Sequence, residues 1–215
     1  MKSDVLTRFI TRIEDPSRIY FTSDTHASHL NVLKYCNRPF ADVDEMNEVL
    51  VRNWNSVVGP DDHVYHLGDF SMGGFERWNW FAEEGRLNGH IHLILGNHDI
   101  ERLLKENFNF DRFDSIELEH ILIIEGWHVF LNHFPFASFS GNYDGKVMAL
   151  SGHTHVGQLS SAVESYDALN AIYKPNQYDV GIDNNNFTPV SWAEVKNKVT
   201  VQIENNVNLM YWFKK

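Results

Sequence analysis

Five short apolar runs in this chain each end in a tight group of small and metal-competent residues, and that repeated junction narrows the available folds more than any other feature. Arg18-Ile19-Tyr20-Phe21 runs into Ser23-Asp24-Thr25-His26, and His63-Val64-Tyr65-His66-Leu67 into Gly68-Asp69. His90-Ile91-His92-Leu93-Ile94-Leu95 runs into Gly96-Asn97-His98-Asp99, Trp127-His128-Val129-Phe130-Leu131 into Asn132-His133, and Val147-Met148-Ala149-Leu150 into Gly152-His153-Thr154-His155. Each run has strand length and β-branched or aromatic content. Each polar group therefore falls just past the C-terminal end of a strand, where open α/β sheets collect their ligands.

The segments between these junctions supply the rest of the architecture. Val43, Met46, Val49, Leu50, Trp54 and Val57 recur at helical spacing behind an Asp42 N-cap, and Gly59-Pro60 stops the pattern. Phe75–Leu87 reads as a second helix and Glu101–Glu106 as a short third one. Glu119–Ile124 and Trp127–Leu131 are strands joined by Glu125-Gly126, a two-residue connection that demands antiparallel pairing. Further on, Tyr178–Ile182 reads as a strand, Ser191–Asn197 as a helix, and Thr200–Ile203 and Leu209–Phe213 as two more strands. A βαβ first half and a strand-rich second half imply mixed sheets with helices on their outer faces. Gly157–Gln177 follows no clear period and reads as a long loop or lid.

Composition bounds the function. The 215 residues suit one domain over 1–215, and 43% hydrophobic content supplies a full core. With 18 Lys+Arg against 29 Asp+Glu the formal net charge is −11, which opposes binding to long nucleic acid or an anionic membrane surface. It leaves room for a small phosphorylated substrate held by metal ions. Cys36 is the only cysteine, so neither an intramolecular disulfide nor a cysteine-based zinc site is available. Met1–Ile10 lacks the apolar stretch of a secretory signal and no apolar run is long enough to span a bilayer, so a soluble, cytoplasmic protein is expected.

Divalent metals of hard or borderline character take carboxylate oxygen, amide oxygen and imidazole nitrogen, and the junctions supply all three. Asp24 and His26, two residues apart on an extended segment, point the same way, and His153 and His155 repeat the pattern. Asp69, Asn97 and His133 bring the donors to seven, about the number that two ions sharing a bridging carboxylate need.

The ordered set Asp24-Thr25-His26, Gly68-Asp69, Gly96-Asn97-His98-Asp99, His133 and Gly152-His153-Thr154-His155 resembles the calcineurin-like metallophosphoesterases over about residues 18–157. The resemblance implies an α/β fold, a four-layer α/β/β/α sandwich of two mixed sheets with a dinuclear site at the strand C-terminal ends. It assigns Asp24, His26, Asp69 and His155 to a first metal and Asp69, Asn97, His133 and His153 to a second, with Asp69 and a hydroxide bridging them. It also makes His98 the non-ligand histidine that serves the leaving oxygen, and Asp99 the residue that orients it. The implied cofactors are two divalent ions: Mn²⁺, or alternatively Fe, Zn²⁺ or Ni²⁺. Two departures stand out: Asn132 precedes the lone histidine where many members have Gly, and Gly68-Asp69-Phe70 lacks the Asp-Arg-Gly continuation of the protein Ser/Thr phosphatases.

Arg38, ahead of Pro39, either turns its guanidinium toward a phosphate or pairs with an acid at the surface. His29, three residues beyond His26, either meets substrate or lies on a helix surface. Phe134, Pro135, Phe136 and Tyr143 either wall a pocket beside His133 or serve in packing. Trp78, Trp80 and Phe81 read as core, His63, His66, His90, His92, His120 and His128 as satisfied or surface histidines, and Asp183-Asn184-Asn185-Asn186 as a polar turn. The expected function is metal-dependent hydrolysis of a phosphodiester of a small, nucleotide-like substrate. The alternatives are a phosphomonoesterase and, from another class, a metal-binding scaffold without catalysis. Oligomeric state is left open.

Overall fold

The computed structural model describes residues 9–105, 108–140, 146–155 and 173–205. Its ten strands form two five-stranded sheets. Strands β2 (Ile19–Thr22), β3 (His63–His66), β4 (His90–Ile94) and β5 (Phe113–Glu117) run parallel in that order, with β10 (Val190–Ser191) added antiparallel to β2. The other sheet runs β1 (Ile10–Ile13), β6 (Glu119–Ile124), β7 (Trp127–Asn132), β8 (Val147–Ser151), β9 (Gln177–Asp179). Only its β6–β7 pair is antiparallel, closed by Glu125 and Gly126 at φ 50° and 81°, a turn whose twist matches the strands it joins. The α/β class, the two mixed sheets and all five strand-to-polar junctions are as the sequence implies.

Alternation along the strands builds the core. Ile19, Phe21, Tyr65 and Ile94 from one sheet face Leu122, Ile124, Val129, Leu131, Met148 and Leu150 from the other. On its far side the β10-β2-β3-β4-β5 sheet presents Val64, Ile91 and Leu93 to helices α2 (Val43–Val57) and α3 (Phe75–Phe81), which contribute Met46, Leu50, Trp54, Trp78 and Phe81. Asp42 caps α2 by accepting from Asp44 and Glu45 amides, as its position predicts. A short helix α1 (Val32–Tyr35) precedes α2, and Phe130, Phe136, Phe139, Val147 and Ala149 form a small satellite cluster on β7 and β8.

Several element boundaries differ from expectation, each for a local reason. Helix α3 stops at Phe81, because the Arg86 side chain folds back to donate to the Trp80 carbonyl and Leu87 tucks into the core instead of extending the helix. The third helix, α4, spans Asn97–Leu103, starting four residues earlier than the sequence suggests, because Asp99 at its third position reaches back to accept from the N-cap Gly96 amide. Thr200–Ile203 is not a strand; it is the second half of α5 (Trp192–Asn205), where Val195, Val199 and Gln202 line one buried face. Burial at i, i+4 and i+7 overrides the β preference of these branched residues. The strand read at Tyr178–Ile182 ends at Asp179, and a 3-10 turn occupies Ile182–Asn184. Helix α5 contacts β2, β9 and β10, closing the sandwich along one side.

The histidines without a motif have structural partners. His66 meets Thr25 Oγ1 at 2.9 Å, His63 meets His92 at 3.0 Å, and His90 meets Asp114 at 2.8 Å. His120 meets Glu117 and Thr11, while His128 is exposed. Of the segment read as a lid, 157–172 lies outside the described residues, as do Tyr143 and 209–213. Its last residues belong to the core: Tyr173 is buried and Gln177 opens β9. Leu131, fully buried between the sheets, is a direct probe of that core. Leu131→Ala is expected to lower unfolding free energy by about 2–5 kcal/mol in urea titrations.

Candidate metal centre

The five polar groups converge on one cleft, though not by the extended geometry the sequence suggests. Asp24, His26, Asp69, His153 and His155 all hold left-handed backbone, at φ 56°, 45°, 56°, 68° and 47°. Such conformations cost about 1–3 kcal/mol each in non-glycine residues and persist only where neighbouring contacts enforce them. Here the loops enforce one another. Asp24 N donates to Gly68 O at 2.9 Å, His26 N to Asp69 O at 3.0 Å and Gly152 N to His133 O at 3.0 Å. Thr25 Oγ1 donates to Phe70 O at 2.6 Å. The approach is close enough to require glycine at two places: a Cβ on Gly96 would collide with Asp69 Oδ1, and one on Gly152 with Ser23 Oγ and Asp24 Oδ2.

Two side-chain groups result, Asp24/His26/His155 and Asp69/His133/His153, each with its donor atoms within 4.8 Å of one another. Asp69 Oδ2 lies 3.4 Å from His26 Nε2 and 3.6 Å from His133 Nε2, so one carboxylate stands between the groups. Asn97 Oδ1 lies 3.1 Å from His133 Nε2. The seven side chains expected to serve as ligands thus surround a single cleft.

The donor set fits divalent cations on three counts. Asp24 Oδ1 and both ring nitrogens of His26 are buried without a hydrogen-bond partner, an arrangement that costs free energy unless a cation engages them. His133 faces the Leu67 carbonyl with Nδ1 at 2.7 Å, so Nδ1 carries the proton and the Nε2 lone pair faces the Asn97 oxygen. Two acceptors face each other there, and a cation reconciles them. Burial lowers the His26 pKa to about 4, leaving the ring unprotonated at neutral pH. Burial also opposes ionisation of Asp69, but His26 and His133 outweigh it and hold the carboxyl well below its usual range. For His155 burial acts downward, yet Asp24 and Asp183 on either side raise its pKa well above the ordinary value. A metal ion at Nε2 competes with that proton.

The remaining candidates fall into different roles from those expected. His98, second in α4, keeps a side chain 37% exposed at the rim, with Nε2 4.0 Å from Asp69 Oδ2. Asp99, implied to orient His98, does something else. Its carboxylate accepts from the amides of Asp69 at 2.7 Å, Phe70 at 3.0 Å and Gly96 at 2.9 Å, so it clamps the turn after β3 to the turn after β4. Burial, reinforced by the charge of Asp69, pushes the Asp99 pKa up to about 7 against those three donors. Arg38 is neither a surface arginine nor aimed at a substrate. Its side chain is fully buried and its guanidinium is spent on the Asp24 and Thr25 carbonyls and on Asp183. His29 lies half-buried with its ring 5.3 Å from that of His26, in the wall of the cleft. The residue missed in the sequence is Asp183, whose Oδ2 meets His155 Nδ1 at 2.8 Å. Its only sequence signal was a polar turn 28 residues beyond His155.

Phe134 is 45% exposed, with its ring 4.6 Å from His153 and 4.9 Å from His133. Asn132 fixes its backbone by accepting from the Phe134 amide at 2.8 Å.

The calcineurin-like phosphoesterase family profile matches residues 17–201, and this chain belongs to that family of phosphoric ester hydrolases. An uncharacterized protein of Methanocaldococcus jannaschii is 37% identical over 179 residues, covering 81% of this chain and 86% of its own. The gene 66 protein of Mycobacterium phage L5 is 28% identical, covering 74% and 97%. A structure of a protein of unknown function from Aquifex aeolicus shares the fold, with a TM-score of 0.56, 24% identity, and coverage of 83% of this chain and 97% of its own. Membership in this family implies divalent metal cofactors, which the two donor groups fit. Among the described residues no helix is long and apolar enough to cross a membrane.

The clamp role of Asp99 separates cleanly from an orienting role. Asp99→Ala, which strands three buried amides, is expected to cost about 3 kcal/mol or more in urea unfolding, at roughly 1 kcal/mol or more per orphaned donor. His98→Ala, at the rim, should stay within about 0.5 kcal/mol of the parent.

Proposed function

We propose that the protein is a dinuclear metal-dependent phosphodiesterase acting on a small, nucleotide-like substrate. The observation that carries the reading is the carboxylate of Asp69, standing between two carboxylate–imidazole groups with His98 at the open rim. Asp24, His26, Asp69 and His155 would hold one ion, and Asp69, Asn97, His133 and His153 the other. Two divalent cations so held would supply a hydroxide nucleophile near neutral pH and neutralise the phosphoryl oxygens.

The chain's own groups do the rest. The loops after β2, β3, β4, β7 and β8 are fastened to one another, so the donors are positioned before any substrate arrives. The buried floor, with Asp24, His26, Asp69 and His133 almost inaccessible, keeps bulk water from competing for these charges. His98, at the rim with Nε2 4.0 Å from Asp69 Oδ2, would serve as the proton donor to the departing oxygen. The exposed face of Phe134 beside His153 offers a planar surface to an aromatic leaving group such as a nucleobase. The net charge of −11 favours a small substrate drawn by local cations over a long polyanion. Retention of His98 and of all seven donors argues against a scaffold without catalysis.

Metal-stripped protein reloaded with Mn²⁺ is expected to hydrolyse bis-p-nitrophenyl phosphate faster than p-nitrophenyl phosphate. His98→Ala should lower kcat by about 10²–10⁴-fold with metal content unchanged, and Asp69→Asn should lower both activity and bound metal. A faster monoester rate would make the enzyme a phosphomonoesterase. Metal binding without hydrolysis of either ester would return the protein to the scaffold class.

A further inference from the structure

Asp24, His26 and His155 of the first-metal set come from two chain segments more than a hundred residues apart, the 24–26 turn and the 153–155 turn, and a single buried arginine joins those two through one carboxylate. Arg38 donates Nε to Asp183 Oδ1 at 2.8 Å and Nη2 to Asp183 Oδ2 at 2.9 Å, a planar two-point pairing available to a guanidinium and not to an ammonium. The same guanidinium donates Nη1 to Thr25 O at 2.9 Å and Nη2 to Asp24 O at 2.7 Å, so it fastens the backbone that carries Asp24. On the other side Asp183 Oδ2 accepts from His155 Nδ1–H at 2.8 Å, which directs the ring's Nε2 toward Asp24 Oδ1, 3.8 Å away.

We propose that Asp183, locked by Arg38, is the positioning residue of the first metal: it selects the His155 tautomer, aims the ring, and registers it against Asp24. The assignment rests on the dinuclear reading above and goes beyond it, because neither residue is a ligand. Two features of the geometry favour this role over a purely structural ion pair. An isolated buried pair would need no third partner, yet Asp183 divides Oδ2 between Arg38 and a ligand imidazole. A carboxylate this near the centre is also itself a potential ligand, grouped with His155 and the buried thiol of Cys36. The two-point grip of Arg38 holds it back from the metal and keeps it on Nδ1. Partners of this kind, one shell outside the metal, typically change metal affinity by 10- to 100-fold.

The test is equilibrium Mn²⁺ titration of metal-stripped full-length protein, with wild type, Asp183→Asn, Arg38→Lys, His155→Ala and the Asp183→Asn/His155→Ala double variant. Wild type is expected to take two ions. In Asp183→Asn and Arg38→Lys one of the two should bind about 10- to 100-fold more weakly, with the other within threefold of wild type. Saturating Mn²⁺ should restore kcat at unchanged KM in both. Asp183→Asn added to His155→Ala should weaken binding no further, because its effect passes through that ring. Additive losses in the double variant, equal weakening of both ions, or unchanged affinity in Asp183→Asn would overturn the assignment. Thermal melts of the apo forms identify any variant that has merely unfolded, and Arg38→Lys, which keeps the charge, then decides. A wild type that binds no metal would instead defeat the dinuclear reading itself.

Discussion

The cleft depends on loops that hold one another in left-handed backbone. Parallel strands deliver their C-terminal ends to one edge, but strand geometry alone sends alternate side chains to opposite faces, one into the core and one away from it. A left-handed residue in the loop just beyond the strand breaks that alternation and turns the donor inward. Asp24, His26, Asp69, His153 and His155 all use this device. None would hold it in an isolated loop; here the turn after β3 meets the backbone of Asp24 and His26, and the Asp24 carboxylate accepts from the His153 amide. Asp99 is the most connected of these supports, a buried carboxylate spread over three amides of two different turns.

Electrostatics and packing point the same way. The interior of the cleft gathers carboxylates, imidazoles and an amide oxygen, a composition that is costly for an apolar sandwich to bury and that cations stabilise. Burial lowers His26 and His153 toward their neutral, ligating forms. The positive charge that could have upset this balance, Arg38, is neutralised by Asp183 at its own doorstep. Toward solvent the character changes: His98, His153 and Phe134 are accessible while the floor is closed. A buried acidic floor with an imidazole and an aromatic face at the rim accords with membership in a phosphoesterase family.

Much of this is readable from the chain. The five apolar-to-polar junctions, the α2 cap at Asp42 and the Glu125-Gly126 hairpin depend on local chemistry, and all recur in the structure. The seven side chains read as donors also lie together in the structure. Local chemistry misleads where burial decides the outcome. Thr200–Ile203 is branched enough for a strand, yet the apolar stripe of Val195 and Val199 carries it into α5. The start of α4 similarly follows from a side chain bending back to Gly96, which no propensity reveals.

Residue identity therefore determines the class of chemistry, the sheet-forming segments and the ligand inventory, because each is a property of a side chain and its near neighbours. Tertiary structure alone decides which polar residues are tools and which are supports. Asp99 and His98 are adjacent in sequence, and only packing separates a buried clamp from a rim imidazole. Arg38 and Asp183 are 145 residues apart, and their pairing, with His155 sharing Oδ2, exists only once the fold has brought these segments together. A two-point ion pair is defined by the relative placement of two planes, and chain order carries no information about that until the fold brings them together.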